Sequence, residues 1–432
     1  MIRVAFFTFG CKVNQYETQA MREIVERAGF EVVDGGEADV FVINTCTVTG
    51  VSDRKARKLI RRLAREHPDA LIVVTGCYAE RAAEEIRGIE GVDLVLGNQE
   101  KREIASRIAE ALGLPPPPPE RDLWITRFDG QTRALVKVED GCDSFCAYCI
   151  VPYVRGRVRS RPVEEVVEEV RRLAEAGYKE IVITGIHLGC YGKDWGGKPS
   201  LEDLLRAVAE VDGIGRIRLS SVEPMDVTPG LLKLMASDDR FAHHLHLPLQ
   251  SGSDKVLKLM RRPYTGEEFE RVVDMARSAM PDIGITTDII VGFPGEGEEE
   301  FRESYEFVER IAFSRLHVFR FSPRKGTLAE RMPNRVPDAV VKERSEAMIE
   351  LGRRLMRRFA ESLIGTVQRV LLEKKEEDGR LSGFTGNYVR VFVNAPESLA
   401  GEMVDVVIEG VEGENAVGRV IGCPKGQAAC VS

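Results

Sequence analysis

The feature that most constrains this chain is its regular alternation of strand-like and helix-like segments. RVAFFTFG, FEVV, DVFVINTC and ALIVVTGC read as strands. NQYETQAMREIVERAG and DRKARKLIRRLAREHP carry the helical period between them. Such alternation calls for a parallel sheet wrapped by helices, so residues 1–114 are expected to form a doubly wound α/β domain. Five consecutive prolines, Pro115–Pro119, then favour a stiff extended segment, and residues 115–127 are expected to act as a linker. The alternation resumes with ALVKVED, EIVITGI, RIRLSSVE, HLHLPLQ, ITTDIIVGF and RLHVFRF. Six strands in strand–helix order predict a partial TIM-like α/β barrel over residues 128–359, with one long helix leaving it. Short alternating strands with Gly-rich turns follow, and residues 360–425 are expected to be a small all-β barrel.

Composition narrows the classes of function. Of 432 residues, 43% are hydrophobic and 30% charged, an ordinary globular balance. No run approaches the roughly 20 apolar residues of a membrane-spanning helix, and no secretory leader is evident, so a cytoplasmic location without membrane contact is expected. The net charge of −8 means that any nucleic acid must be held by local patches. One patch is RKARKLIRRLAR, residues 54–65, with seven basic residues and no acid. At helical spacing, Ala56, Leu59, Ile60, Leu63 and Ala64 face the sheet, leaving Arg54, Lys58, Arg61 and Arg65 as an exposed stripe suited to phosphates. Arg155, Arg157, Arg159 and Arg161 alternate, and in an extended conformation all four point one way.

Cysteine placement points to the chemistry. An odd count of nine, without an export signal, argues against a disulfide framework. Cys142, Cys146 and Cys149 form a C-x3-C-x2-C loop directly after a predicted strand. Three thiolates on a four-iron cubane leave one iron open, whereas a structural zinc site wants four ligands. Cys11, Cys46 and Cys77 are far apart in sequence, yet each ends a predicted strand: TFGC, VINTC and VVTGC. All strand C-termini of a parallel sheet lie along one edge, so these three can converge on a second open cubane. The plainer reading is three small buried residues. Cys190, Cys423 and Cys430 fit no motif and are read as structural. His243, His244 and His246 are read as ordinary strand residues.

The cysteine loop GCDSFCAYCIVPYVRGRVRSR resembles that of the radical S-adenosylmethionine superfamily. FFTFGCKVNQYET, VINTCTVT and VVTGCYAE are similar to the N-terminal domain of its methylthiotransferase family, and HLHLPLQSGSDKVLKLMRRPYT and TTDIIVGFPGE to its core. The resemblance covers essentially the whole chain and implies two 4Fe-4S clusters, one on Cys11, Cys46 and Cys77 and one on Cys142, Cys146 and Cys149. It implies that S-adenosyl-L-methionine both methylates a sulfur on the first and is cleaved to a 5′-deoxyadenosyl radical at the second. The radical activates an inert C–H carbon, which takes up the methylthio group. The β-barrel corresponds to the family's TRAM domain, an RNA-binding module. Gln250, Ser251, Ser221 and Glu223 are candidates for cofactor contact. GCKVNQYET and GIHLG are similar to the subgroup that converts N6-threonylcarbamoyladenosine at tRNA position 37 to its 2-methylthio form. The implied partners are tRNA and an external electron donor such as flavodoxin or ferredoxin, the sulfur donor being unknown. Isopentenyladenosine in tRNA, a ribosomal-protein aspartate, and a non-catalytic iron–sulfur RNA-binding or redox-sensing protein are the rival readings. The C-terminal module carries seven Lys/Arg against ten Asp/Glu from residue 366 on, so RNA contact there must be local, through Phe384, Tyr388 and Arg390, and these aromatics fit the barrel core equally well.

Overall fold

A computed structural model describes residues 1–422; Cys423, Cys430 and the expected end of the β-barrel at residue 425 lie outside the described residues. The chain divides into two compact units. The first comprises residues 1–129, 140–159 and 322–330, and the second residues 130–139, 160–321 and 331 onward.

The first unit is built on five parallel strands: β1 (Arg3–Thr8), β2 (Glu31–Val33), β3 (Val40–Thr45), β4 (Leu71–Gly76) and β5 (Leu94–Leu96), in the order β2-β1-β3-β4-β5. This is a doubly wound order with its switch point between β1 and β3. Helices α1 (Lys12–Arg27) and α5 (Ile104–Ala111) cover one face, where Val4, Val40, Val42 and Val73 meet Met21, Val25, Ile104 and Ile108. Helices α2 (Gly50–Glu66), α3 (Cys77–Arg81) and α4 (Ala83–Arg87) cover the other, where Phe41, Ile43, Ile72 and Val74 meet Ala56, Ile60, Leu63, Tyr78 and Ile86. β3 is buried at every residue because both its faces are covered.

The segment after the prolines is fastened along α1. The buried carboxylate of Glu23 accepts from the Thr126 backbone N–H at 2.9 Å and from its hydroxyl at 3.0 Å. Trp124 lies 4.2 Å beneath the Arg27 guanidinium, and the Tyr16 hydroxyl donates to the Leu123 carbonyl.

The second unit holds the six expected strands, Arg133–Lys137, Glu180–Thr184, Arg216–Leu219, His244–His246, Gly284–Val291 and Arg315–Arg320. They run parallel in that spatial order as two three-stranded sheets, joined by bridges from Ile217 to Phe241 and from Ser221 to His246. The result is an open half-barrel, with catalytic positions expected at the C-terminal ends of its strands. The helix Asp338–Glu361 leads into a closed five-stranded barrel with an aliphatic core of Val370, Leu372, Val391, Val393, Val404 and Val406.

The two parts of this unit are joined by a buried ion cluster. Glu180 is fully buried and accepts from Arg216 at 3.0 Å and Arg218 at 2.7 Å. The same guanidiniums donate to the Phe384, Thr385 and Gly386 carbonyls of the barrel. Burial raises the Glu180 carboxyl, but the charges of Arg218, Arg216 and Arg133 outweigh it and hold the group below the usual carboxylate range.

The barrel aromatics pack against this cluster. Phe384 and Tyr388 stack on each other at 4.9 Å, and Arg133 and Arg218 lie over their rings at 5.0 and 4.8 Å. Arg390 is bound to Glu376. The rings are thus packed within the unit while keeping partial exposure. Glu180→Gln leaves two buried guanidiniums short of charge, so it should destabilise the protein by about 3–5 kcal/mol in chemical unfolding monitored by circular dichroism.

Candidate active site

Three adjacent central strands of the first unit each end in a cysteine. Cys11 follows β1 and starts α1, Cys46 follows β3, and Cys77 follows β4 as the first residue of α3. Because β1, β3 and β4 are neighbours, the three thiols converge on one sheet edge, flanking the switch point. Their proximity also shows electrostatically. Burial pushes the Cys46 thiol up to about 11, with added repulsion from Cys11 and Cys77, against a lowering hydrogen bond from the Val48 N–H.

Buried Asn14 ties the first two loops together. Its amide donates to the Phe9 carbonyl at 2.8 Å and the Thr45 carbonyl at 3.0 Å, while Asn44 donates back to the Asn14 carbonyl. Gly10 has φ +111°, and a Cβ there would lie 2.6 Å from the Cys46 Cβ and 3.0 Å from its sulfur. Only glycine leaves this edge open. Three thiols around a backbone kept free of side-chain bulk suit a thiolate-bound iron–sulfur group.

Residues 140–159 belong to the same compact unit. Gly141, at φ +88°, lets Cys142 donate to the Gly156 carbonyl at 3.0 Å; a Cβ there would strike the Arg157 carbonyl. Cys142 sulfur accepts from the Ser144 N–H at 3.3 Å, and the Cys149 N–H donates to the Cys146 carbonyl. All three cysteines keep partial exposure, in keeping with an accessible metal group. Cys77 packs on Ile150, which caps α6 (Val151–Arg155), and on Val154 within it.

The alternating arginines depart from the expected stripe. Residues 151–155 form a helix that stops at Gly156, so Arg155 turns inward and is buried. Arg157 and Arg159 remain exposed, and Arg161 is paired with Glu169.

In the second unit, Ser221 and Glu223 follow the strand Arg216–Leu219, and Gln250 and Ser251 follow His244–His246. All four therefore lie at the C-terminal edge of adjacent half-barrel strands. Gln250 adopts φ +70°, a strained conformation for a residue with a side chain. Glu223 is ion-paired with Arg262.

Cys190 belongs to a cluster that sequence reasoning missed. The ligand atoms of His187, Cys190 and Asp226 lie within 4.8 Å of one another. His187 and Asp226 are hydrogen-bonded at 2.7 Å, and Lys193 donates to Asp226 at 3.0 Å and to the Cys190 sulfur at 3.4 Å.

The parallel half-barrel with a three-cysteine loop defines a radical S-adenosylmethionine protein. Residues 136–308 match the Radical SAM superfamily, and residues 3–97 match Uncharacterized protein family UPF0004. The chain is 42% identical to the threonylcarbamoyladenosine tRNA methylthiotransferase of Bacillus subtilis, over 94% of each chain. It is 43% identical to the Thermotoga maritima protein of the same name, covering 90% of this chain and 91% of that one. It is 35% identical to the tRNA-2-methylthio-N(6)-dimethylallyladenosine synthase of Acetivibrio thermocellus, over 96% of this chain and 90% of the other. The radical S-adenosylmethionine methyltransferase TsrM from Kitasatospora setae shares the fold, with a TM-score of 0.54 at 19% identity, covering 74% of this chain and 73% of that one. The chain belongs to the radical S-adenosylmethionine methylthiotransferase family and is an enzyme of that class. Its cofactors are S-adenosyl-L-methionine and 4Fe-4S clusters.

Asp53, at the start of α2, accepts from both Arg81 and Arg324 and thereby holds residues 322–330 beside the Cys46 loop, where Arg324 also donates to Thr47. Asp53→Asn should raise amide hydrogen exchange in that segment at least about tenfold, measured by mass spectrometry, as a loss of roughly 1.4 kcal/mol of local stability implies.

Proposed function

We propose that this enzyme adds a methylthio group to C2 of N6-threonylcarbamoyladenosine at position 37 of tRNA. The observation that carries the reading is the presence in one chain of both cysteine triplets, one at the ends of three adjacent parallel strands and the other in the loop that follows the strands Arg133–Lys137 and Glu139–Asp140. It is supported by the similarity to threonylcarbamoyladenosine enzymes at 42–43% identity, against 35% for the dimethylallyladenosine enzyme.

Cys11, Cys46 and Cys77 would hold one 4Fe-4S cluster, and Cys142, Cys146 and Cys149 the other. Bound there, the clusters supply a methylated sulfur and reductive cleavage of S-adenosylmethionine. The chain's own residues keep the N-terminal edge clear of side chains at Gly10 and pin the Cys11 and Cys46 loops together through Asn14. Ser221, Gln250 and Ser251 would orient the cofactor's polar groups, with Glu223 held in place by Arg262. A tRNA substrate puts the enzyme in the cytoplasm, with an external donor of the flavodoxin or ferredoxin kind. Among the described residues, no helix is long and apolar enough to cross a membrane.

The deciding experiment incubates anaerobically reconstituted enzyme with S-adenosylmethionine, reductant and tRNA carrying threonylcarbamoyladenosine, followed by nucleoside mass spectrometry. The methylthio product should form with the wild type. Cys146→Ala should form none and release no 5′-deoxyadenosine. Modification of isopentenyladenosine instead would overturn the substrate assignment.

RNA phosphates would lie along α2. Arg54, Arg57, Lys58, Arg61, Arg62 and Arg65 line a shallow groove of about 370 Å3. Arg54, Lys58 and Arg61 are exposed and form no ion pair among the described residues, unlike Arg57 with Glu85 and Arg62 with Glu66. The triple variant Arg54→Ala/Lys58→Ala/Arg61→Ala should flatten the salt dependence of tRNA binding. The slope of log K against log salt should fall by about 2 to 3, at 0.7–0.9 per lost phosphate contact. An unchanged slope would place the RNA elsewhere.

A further inference from the structure

The molecule buries an arginine against a cysteine at the N-terminal sheet edge. The Arg155 side chain has no exposed surface. Its Nε donates to the Cys77 sulfur at 3.3 Å. Its other nitrogens donate to both carboxylate oxygens of Glu17, to the Asn14 side-chain carbonyl, and to Asp140 at 3.3 Å. Glu17 also binds Lys101, which is equally buried. Two cations thus face two carboxylates, and of these four groups it is the guanidinium that hydrogen-bonds the sulfur.

Placing four ions in a protein interior is costly, and replacing such a group by apolar residues commonly stabilises a fold. Bracing alone is therefore a weak account of Arg155. What a guanidinium does here that an apolar residue cannot is to donate a hydrogen bond, and a positive charge, to a sulfur. Hydrogen bonds to ligand sulfurs and local charge are among the factors that set the reduction potential of an iron–sulfur cluster. Both favour the more negative, reduced form.

We propose that Arg155 is a redox-setting positioning residue for the cluster on Cys11, Cys46 and Cys77: its hydrogen bond to Cys77 raises that cluster's reduction potential, with Glu17 fixing the guanidinium's aim and tempering its charge. The inference rests on the assignment of Cys77 as a ligand made above. The couple it adjusts is a one-electron change within the cluster, supplied in the test by an external chemical reductant.

The test uses full-length, anaerobically reconstituted protein in which Cys142, Cys146 and Cys149 are replaced by Ala, so that a single cluster reports. Iron per chain is counted first, and the midpoint potential is then read by electron paramagnetic resonance during a dye-mediated titration. Should the additional change Cys77→Ala leave the iron count untouched, the ligand assignment itself fails, whatever Arg155 does. With the assignment intact, Arg155→Gln should shift the midpoint to more negative potential at full iron content. Glu17→Gln should shift it the opposite way, because the guanidinium is then less neutralised. A merely bracing role predicts lost iron in both variants and no opposed shifts. Where Arg155→Gln fails to hold iron, Arg155→Lys decides, since it keeps a cation beside Glu17 but loses the Nε–H. A negative shift in that variant supports the proposal. An unchanged midpoint in an iron-replete Arg155 variant overturns it. If neither Arg155 variant holds iron, the sign of the Glu17→Gln shift decides, and no shift overturns it.

Discussion

The N-terminal site depends on one geometric constraint: in a parallel sheet every strand delivers its C-terminus to the same edge. With β1, β3 and β4 adjacent, residues 35 and 31 positions apart in the chain become neighbours without any local motif. The constraint extends to what surrounds the cysteines. Helices must leave that edge, so Cys11 and Cys77 sit at helix starts, and the loops between strand and helix must be tight. Gly10 and Asn14 satisfy that demand, one by having no side chain and the other by hydrogen-bonding two loops at once.

Buried charge organises what the sheet cannot. In the first unit Glu17 and Asp140 gather Lys101 and Arg155, and in the second Glu180 gathers Arg216 and Arg218. Such ions contribute little net stability once desolvation is counted. Their use is directional. Each guanidinium has several fixed donors, so satisfying all of them leaves one orientation. Arg216 and Arg218 spend the surplus donors on barrel carbonyls, and Arg155 spends one on a thiol.

Most of the architecture was legible because periodicity reports burial. The six half-barrel strands and helices α1 and α2 lie where their patterns place them, and Ala56, Ile60 and Leu63 are buried as their spacing requires. Short elements escaped the same reading. β5 has three residues and α6 has five, too few for a period to show. That is why Arg155 was expected in an extended run: alternation over four arginines looks like a strand, and one helical turn ending at Gly156 reverses the direction of the first. The signal that could have found it was on α1, where Asn14 and Glu17 fall on the face carrying Val13, Tyr16 and Ala20. Polar residues at core positions announce a partner, but a pattern does not say which one. The barrel aromatics stayed open to two readings for a related reason: an aromatic between strands fits a stacking platform and a packed joint equally well, and the arginines over Phe384 and Tyr388 show the packing.

An acidic chain that acts on RNA must reconcile repulsion at long range with attraction at the site. Beyond about one Debye length, roughly 8 Å at physiological ionic strength, salt screens most of the net −8. What matters is then the placement of unpaired cations. α2 begins four residues after Cys46, and its exposed face carries Arg54, Lys58 and Arg61 along one rigid rod. The helix is fixed at its base by Asp53 and along its length by Ile60 and Leu63. Phosphates gripped on that face would be held in register with the Cys46 loop by the helix itself. A flexible basic tail could supply equal attraction but no such register. This argues that the stripe belongs to positioning as much as to affinity, and it explains how the acidic C-terminal barrel can contribute little charge without leaving the RNA unheld.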